Sequence, residues 1–351
     1  GFTSTYANVG QTSNKGIEIA LQGVLVKTRD WNVTAGFNIN FNRGKVDKLA
    51  DNVTGLYGTE WATSSTFPKS DYVLKEGRPV GLVRGLTADG FYTTDDFTYE
   101  NGVYTLKEGV ADVSSAVFPN YHLHNGMNER PAGQLAYPGM AKFKDLNDDG
   151  IINDDDVDVI GDMTPVHTGG FNINATYKNF DLGLYFNWSY GNEIYNVNKL
   201  AALYGYKEGA VYENKLSIVK DCYKIYDVVN GELVALTTPE QLNAANANAK
   251  LPLAYSENGY VSTLGIEDGS YLRLNTLTLG YTLPKSMLQK AGISNLRVYG
   301  SIYNVFTITG YSGIDAEVST STSTKTYPQL GMDWGTYPRA RSFVLGVNLS
   351  F

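Results

Sequence analysis

The segment 31–41, WNVTAGFNINF, alternates with a strict period of two. Trp31, Val33, Ala35, Phe37, Ile39 and Phe41 fall on one side, and Asn32, Thr34, Gly36, Asn38 and Asn40 on the other. Successive side chains of a strand point to opposite faces of a sheet, so this is a strand with one apolar and one polar face. GFNINATY repeats the pattern, with Phe171, Ile173, Ala175 and Tyr177 against Asn172, Asn174 and Thr176. FDLGLYFNWSY sets Leu182, Leu184, Phe186, Trp188 and Tyr190 against Gly183, Tyr185, Asn187 and Ser189. SFVLGVNLSF places Phe343, Leu345, Val347, Leu349 and Phe351 together. Runs of about ten residues have the length a tilted strand needs to cross a bilayer. Their polar faces carry Asn, Thr, Ser and Gly rather than Lys or Glu, which suits a wet barrel lumen with the apolar face toward lipid.

Three further segments read as strands. In 16–27, GIEIALQGVLVK, Val24 and Val26 break the alternation. In 271–283, YLRLNTLTLGYTL, the phase changes between Leu274 and Leu277, which a β-bulge would absorb. The third is 295–306, NLRVYGSIYNVF. Trp31, Tyr177, Trp188, Tyr190 and Tyr281 lie near strand ends, where aromatic girdles sit, although aromatics favour strands in general. Charged residues make up 18% of the chain, below the ~25% of ordinary soluble domains. No apolar run approaches the ~18 residues of a membrane helix. The expected class is therefore all-β.

A net charge of −8 argues against a nucleic-acid binder, which should show a basic stripe. The one cysteine, Cys222, excludes an intrachain disulfide and reads as an isolated thiol. The chain begins GFTSTYANVG, without Met, and reads as mature or truncated sequence.

The connections fall into two classes. Segments 28–30, 178–179 and 284–294 are short. Segments 43–167, 191–270 and 307–340 are long and rich in Gly, Ser, Asn and Asp. Short turns at one end and long external loops at the other is the outer-membrane barrel arrangement. Parity adds a constraint. If 16–27 turns into 31–42, and 168–177 into 180–190, then an even number of spanning strands lies between 42 and 168. Segment 80–92 cannot span alone, and is read as part of an external excursion or as one arm of a pair. Roughly seven spanning strands result, fewer than a wide barrel needs.

One loop stands out. DLNDDGIINDDD, 145–156, carries oxygen donors at the spacing of a twelve-residue calcium loop: Asp145, Asn147, Asp149, the carbonyl of Ile151, Asn153 and Asp156, with Gly150 at the turn. Asp156 replaces the usual bidentate Glu. The other reading is an acidic, solvated turn. Calcium bound there would hold structure rather than signal, since a sensor needs a bistable helix pair and the flanking GMAKFK and VDVIGDM offer none.

Catalytic motifs are missing. There is no G-x-S-x-G, Walker loop, H-E-x-x-H or cysteine cluster, and no carboxylate pair has a context that singles it out. The chain is not expected to be an enzyme. His122 and His124 lack a third metal ligand nearby, and His167 reads as structural. Arg273 and Arg297, on strands, read as lumen-facing ion-pair partners, since charge on a lipid face is costly. Tyr57, Trp61 and Trp334 are either sugar-stacking aromatics or ordinary loop residues.

These stretches together resemble the C-terminal part of the barrel of SusC-like (RagA-type) TonB-dependent outer-membrane transporters of Bacteroidetes. The resemblance is carried by NVGQTSNKGIEIAL, FKDLNDDGIINDDDVDVIGDMTP, GFNINATYKNFDLGLYFNWSYGNEIYN, the stretch from GSYLRLNTLTLGYTLP to YSGIDAEVS, and YPRARSFVLGVNLSF. It covers most of the regular segments and is weakest at 94–135 and 205–265. It implies about seven meander strands of a barrel of about 22, with residues 1–351 all barrel and loops; the sequence departs from the family pattern in showing no recognisable plug domain or TonB box. It further implies import of oligosaccharides or peptides, a SusD-like surface lipoprotein as lid, and coupling to TonB through an N-terminal part outside this chain. The terminal Phe351 resembles the signal read by the barrel assembly machinery. The competing reading is a soluble, calcium-stabilised β protein that binds carbohydrate.

Overall fold

The computed structural model describes residues 10–62, 66–118, 130–203, 215–254, 259–289, 292–318 and 330–351. Seven long strands form one antiparallel sheet: β1 (Gly10–Lys27), β2 (Trp31–Leu49), β3 (His167–Tyr177), β4 (Phe180–Tyr190), β5 (Tyr271–Thr282), β6 (Asn295–Thr309) and β7 (Ser342–Ser350). Their order in the sheet is their order in the chain, so the topology is a plain meander. The three short connections join β1 to β2, β3 to β4 and β5 to β6 at one end.

The even number of strands required between 42 and 168 is zero, because β2 pairs directly with β3, Phe37 opposite Phe171 and Trp31 opposite Tyr177. Segment 80–92 supplies two short strands, Leu82–Leu86 and Ala88–Phe91, which pair within the loops and do not span. β2 and β6 run on to Leu49 and Thr309, past the points where 43–167 and 307–340 read as loop. Both irregular strands contain register shifts, between Val24 and Val26 in β1 and between Leu274 and Thr276 in β5. The extra residue of a bulge returns Val26 to the apolar side, opposite Val33, while Val24 stays opposite Thr34 on the polar side; in β5 it keeps Leu274 and Leu277 on the same side.

Register converts the alternation into two surfaces. Ile19, Ile39, Gly169, Trp188, Leu272 and Ile308 lie in one row across six strands, and Val33, Ala175, Leu182, Leu279, Gly300 and Leu345 in another. All of these are on one face. The opposite face is lined by Asn38, Gly170, Asn187, Arg273 and Thr307. The apolar face is bare: Leu21 is 65%, Phe343 71% and Leu345 89% exposed. Aromatic pairs bound it at both ends. Trp31–Tyr177 (4.4 Å between centroids) and Phe180–Tyr281 (4.7 Å) sit at the short turns, and Phe41–His167 and His167–Tyr190 at the other end. β3 has 11 residues between these belts. At about 3.3 Å each, with a tilt of about 40°, that matches the ~25 Å apolar band of a membrane strand. Among the described residues neither β1 nor β7 has a neighbour on its outer edge in the sheet. Hydrocarbon cannot solvate unpaired backbone groups, so this sheet is a portion of a closed wall.

The hydrophobic core lies elsewhere. Its buried members, among them Tyr72, Tyr92, Tyr104, Tyr137, Ile152, Leu200 and Leu242, all come from the three long connections. These connections fold together into a roof over one end of the wall. Strand Glu193–Asn196 lies between Ile266–Asp268 and Met332–Asp333, joining two of the connections. The first connection docks beside them as a four-stranded sheet containing Leu82–Leu86 and Val157–Asp162. Helix Pro239–Asn246 starts at a reciprocal cap, in which Gln241 N donates to Thr238 Oγ1 and Thr238 N to Gln241 Oε1. Such a cap satisfies two helix-end donors at once.

Candidate functional site: the polar face and its roof

The polar face of the wall is held by hydrogen bonds that cross strands. Near the short turns, Arg297 on β6 donates through Nε and Nη2 to both oxygens of Asp181 on β4, at 2.9 and 2.5 Å. The pair reaches across β5 above Gly280, where an added methyl would overlap both groups. Glycine is therefore required there for contact rather than for backbone angle. Halfway along, Asn275 Nδ2 donates to Asn187 Oδ1 (2.6 Å), and Asn187 Nδ2 to the Tyr271 hydroxyl (3.1 Å). Tyr185 donates to Asn174 Oδ1 at 3.1 Å. Such a face offers amides and hydroxyls to water or a polar solute while keeping its own charges paired.

Arg273 anchors the far end. It is 3% exposed and donates from Nε to Thr307 Oγ1 (2.9 Å), from Nη1 to Glu317 Oε2 (3.0 Å), and from Nη2 to Asp315. Arg339 closes the other Glu317 oxygen at 3.0 Å. Both arginines therefore serve as ion-pair partners on the polar face. A buried guanidinium is tolerated only when its fork is matched in this way.

The segment following β6 is strapped to the roof by a second group. Glu267 accepts from Ser312 N and Oγ, both at 2.9 Å, and from Lys199 Nζ at 3.1 Å. Burial pushes the Glu267 carboxyl up, but the Ser312 and Lys199 donors outweigh it and hold it below its ordinary range. The Tyr311 hydroxyl donates to Asp333 Oδ2 at 2.6 Å. Burial and that carboxylate raise the phenol well above its ordinary value.

All six calcium-loop candidates fall in the connection between strands Ala141–Phe143 and Val157–Asp162, which includes the short strand Ile151–Ile152. Asp145 accepts from Asp149 N (3.3 Å) and Gly150 N (2.7 Å), Asn147 Oδ1 from Asp149 N, and Asp149 Oδ1 from Ile151 N. Gly150 takes φ 84° at the turn, where glycine costs no steric strain. Asn153 Oδ1 accepts from Asp155 N, and Asn153 Nδ2 donates to the Ile151 carbonyl. Asp156 is fully buried, one oxygen accepting from Leu146 N and the other from Asn153 N. Among the described residues no three Asp, Glu, His or Cys side chains converge to hold a metal on their own. A cation here would draw on the oxygens of Asn147, Asn153 and Ile151 as well, which is a donor set suited to a hard ion.

The remaining candidates are local. His167 Nδ1 accepts from Trp188 Nε1 at 3.0 Å, satisfying an indole on the apolar face. Cys222 is buried, its thiol pushed up to about 11 by that burial and by Asp221, so it is a packed, unreactive group. Trp61 packs edge-on to Tyr195, and Tyr57 lies under the Arg84 guanidinium at 4.8 Å. Trp334 is 47% exposed. His122 and His124 lie outside the described residues. The sequence reading missed Asp71, Glu267 and Asp333. Asp71 is fully buried and accepts three successive backbone N–H groups, from Glu60, Trp61 and Ala62, at 2.8, 2.8 and 3.0 Å. A lone acid in a loop has no spacing to betray it.

No family model matches the chain. The chain is 29% identical over 356 residues to TonB-dependent receptor P3 of Formosa agariphila, covering 100% of this chain and 30% of that protein. It is 26% identical over 351 residues to the TonB-dependent receptor SusC of Bacteroides thetaiotaomicron, covering 98% of this chain and 27% of that one. The fold superposes on the RagAB peptide transporter with a TM-score of 0.65 at 22% identity, covering 100% of this chain and 30% of the other. The RagAB peptide importer in its "open-open" state gives 0.64. The chain thus spans less than a third of each of these proteins. Over its whole length it is homologous to the SusC-like TonB-dependent receptors, and it corresponds to a portion of their outer-membrane β-barrel.

Proposed function

We propose that the chain forms part of the wall and external mouth of a TonB-dependent importer, which takes up oligosaccharides or peptides beneath a SusD-like surface lipoprotein. The observation that carries this reading is the two-faced sheet. One side is an unbroken apolar surface bounded by aromatic belts, the other is polar with paired charges, and a folded roof stands over one end. Lipid on one side and a hydrated path on the other account for both surfaces. The relatives are named as receptors and a transporter rather than as enzymes, and the polar face holds paired structural charges rather than a reacting constellation. A soluble carbohydrate-binding protein would leave the apolar face without a purpose.

The acid loop enters this reading as a calcium clamp. Asp145, Asn147, Asp149, the Ile151 carbonyl, Asn153 and Asp156 would hold the ion, which would neutralise crowded carboxylates and stiffen the roof.

The test is uptake by living cells. Inactivating the gene should abolish high-affinity uptake of one oligosaccharide or peptide class, and disabling TonB should do the same. Affinity purification of the intact protein should bring down a surface lipoprotein. Undiminished uptake across a panel of both substrate classes would sink the proposal.

A further inference from the structure

A cleft of about 330 Å³ opens where the segments after β4 and β6 meet in the roof. Its lining includes Asp333, which is 4% exposed. The Asp333 carboxylate accepts from the Tyr311 hydroxyl, yet it forms no ion pair among the described residues. Lys199 lines the same cleft, but its ammonium is committed to Glu267 at 3.1 Å. The two carboxylates and one ammonium leave a single uncompensated negative charge. Withdrawing such a charge from water is costly without a partner.

We propose that this cleft binds a primary ammonium group, seated on the Asp333 carboxylate. An ammonium carries three donors and no acceptor, which complements a carboxylate whose described side-chain donor is the Tyr311 hydroxyl. Calcium or magnesium is a poor fit, since each wants six or more oxygens and Asp333 is the one carboxylate among the described lining residues. A quaternary ammonium favours an aromatic cage, and among the described residues no aromatic lines the cleft. Leu216, Ile218 and Ile314 form an apolar wall that would take a short alkyl chain attached to the ammonium. The same chemistry is offered by the amino terminus of a peptide and by an amino sugar. This inference is independent of the transport proposal, because it is read as binding to the purified protein and not as uptake.

The experiment is calorimetric titration of the intact, detergent-solubilised protein with n-butylammonium chloride. Controls at matched ionic strength are n-butanol and sodium butyrate. Saturable binding of the ammonium alone is expected, at least tenfold weaker in Asp333→Asn. Equal binding by that variant, or by either control, overturns the assignment. Should Asp333→Asn fail to fold, Ile314→Ala carries the test, since Ile314 is 76% exposed and its truncation spares the fold. It should weaken n-butylammonium more than methylammonium, and an equal effect on both would remove the ligand from this cleft. Trialanine against N-acetyl-trialanine, and glucosamine against N-acetylglucosamine, then identify the source. Binding of an acetylated form as tight as that of its free amine would also overturn the proposal.

Discussion

The wall and the roof solve opposite problems with similar residues. The wall keeps its large apolar side chains outside: Ile17, Leu21, Leu279, Ile308 and Leu345 are all more than half exposed. The roof keeps them inside: Tyr72, Tyr92, Tyr104, Tyr137, Tyr195 and Leu200 are fully buried. The wall is stabilised by long ladders between strands adjacent in the chain and by lipid on one face. The roof is stabilised as a soluble domain is, by removing apolar area from water at about 25 cal/mol per Å². Tyrosine serves both regions. In the roof its ring fills the core, and on the wall it marks the membrane boundary, where an amphipathic ring is at home. One chain thus folds against two solvents, and burial in water reports on only one of its halves.

The largest effect should come from the roof. Leu200→Ala removes a fully buried side chain, which costs roughly 2–5 kcal/mol. Thermal denaturation followed by tyrosine fluorescence should shift downward, while the heat-dependent gel mobility of the barrel stays put. If both shift together, wall and roof are one cooperative unit and the comparison fails.

Next comes the wall. Leu277→Arg places a charge in the middle row of the apolar face, beside Leu184 and Ile302, at a cost of about 2–4 kcal/mol at the bilayer midplane. The neighbouring Thr278→Arg, on the polar face, should be far milder. Comparing the folded fraction of the two in membranes sharpens the assignment of faces, and equal losses would reverse it.

A third test concerns calcium. With the ion at 100 times its dissociation constant, binding contributes about 2.7 kcal/mol, so chelation should lower the roof transition alone. Asp145→Ala with Asp149→Ala should remove that sensitivity. A roof transition indifferent to chelator would leave an ordinary acidic turn.

The smallest effect is the pH dependence of the strap. Glu267 is held below its unfolded value by Ser312 and Lys199 despite its burial. A depressed carboxyl stabilises the fold above its unfolded pKa, and that contribution is lost as pH falls through the folded pKa. Limited proteolysis at 310–318 should therefore accelerate on acidification below the ordinary carboxylate range, and Glu267→Gln should flatten that acceleration.

The wall was legible because its physics is periodic. Alternation over about ten residues located β3, β4 and β7 and assigned their faces, and broken alternation located the irregularities at Val24–Val26 and Leu274–Thr276. The ion-pair role of Arg273 and Arg297 followed from the cost of charge on a lipid face. The roof was not legible. Its strands are often two to four residues long, as in Ile151–Ile152 and Met332–Asp333, too short to show a period. Their partners are distant: Tyr195 pairs with Met332, and Gly259 with Thr66. Parity required an even number of strands between β2 and β3 but had no means of preferring zero.

By itself, then, the sequence determined where seven spanning strands lie, up to an even number between 42 and 168, and which side of each meets lipid, because a strand crossing a membrane must repeat one rule along its length. The tertiary structure decided that the long connections are a packed domain, that Glu267 ties a strap, and that Asp333 is buried beside a cleft with no ion-pair partner among the described residues. Those outcomes depend on which distant segments come together, and single buried residues in short, aperiodic loops carry no local mark of where they will pack.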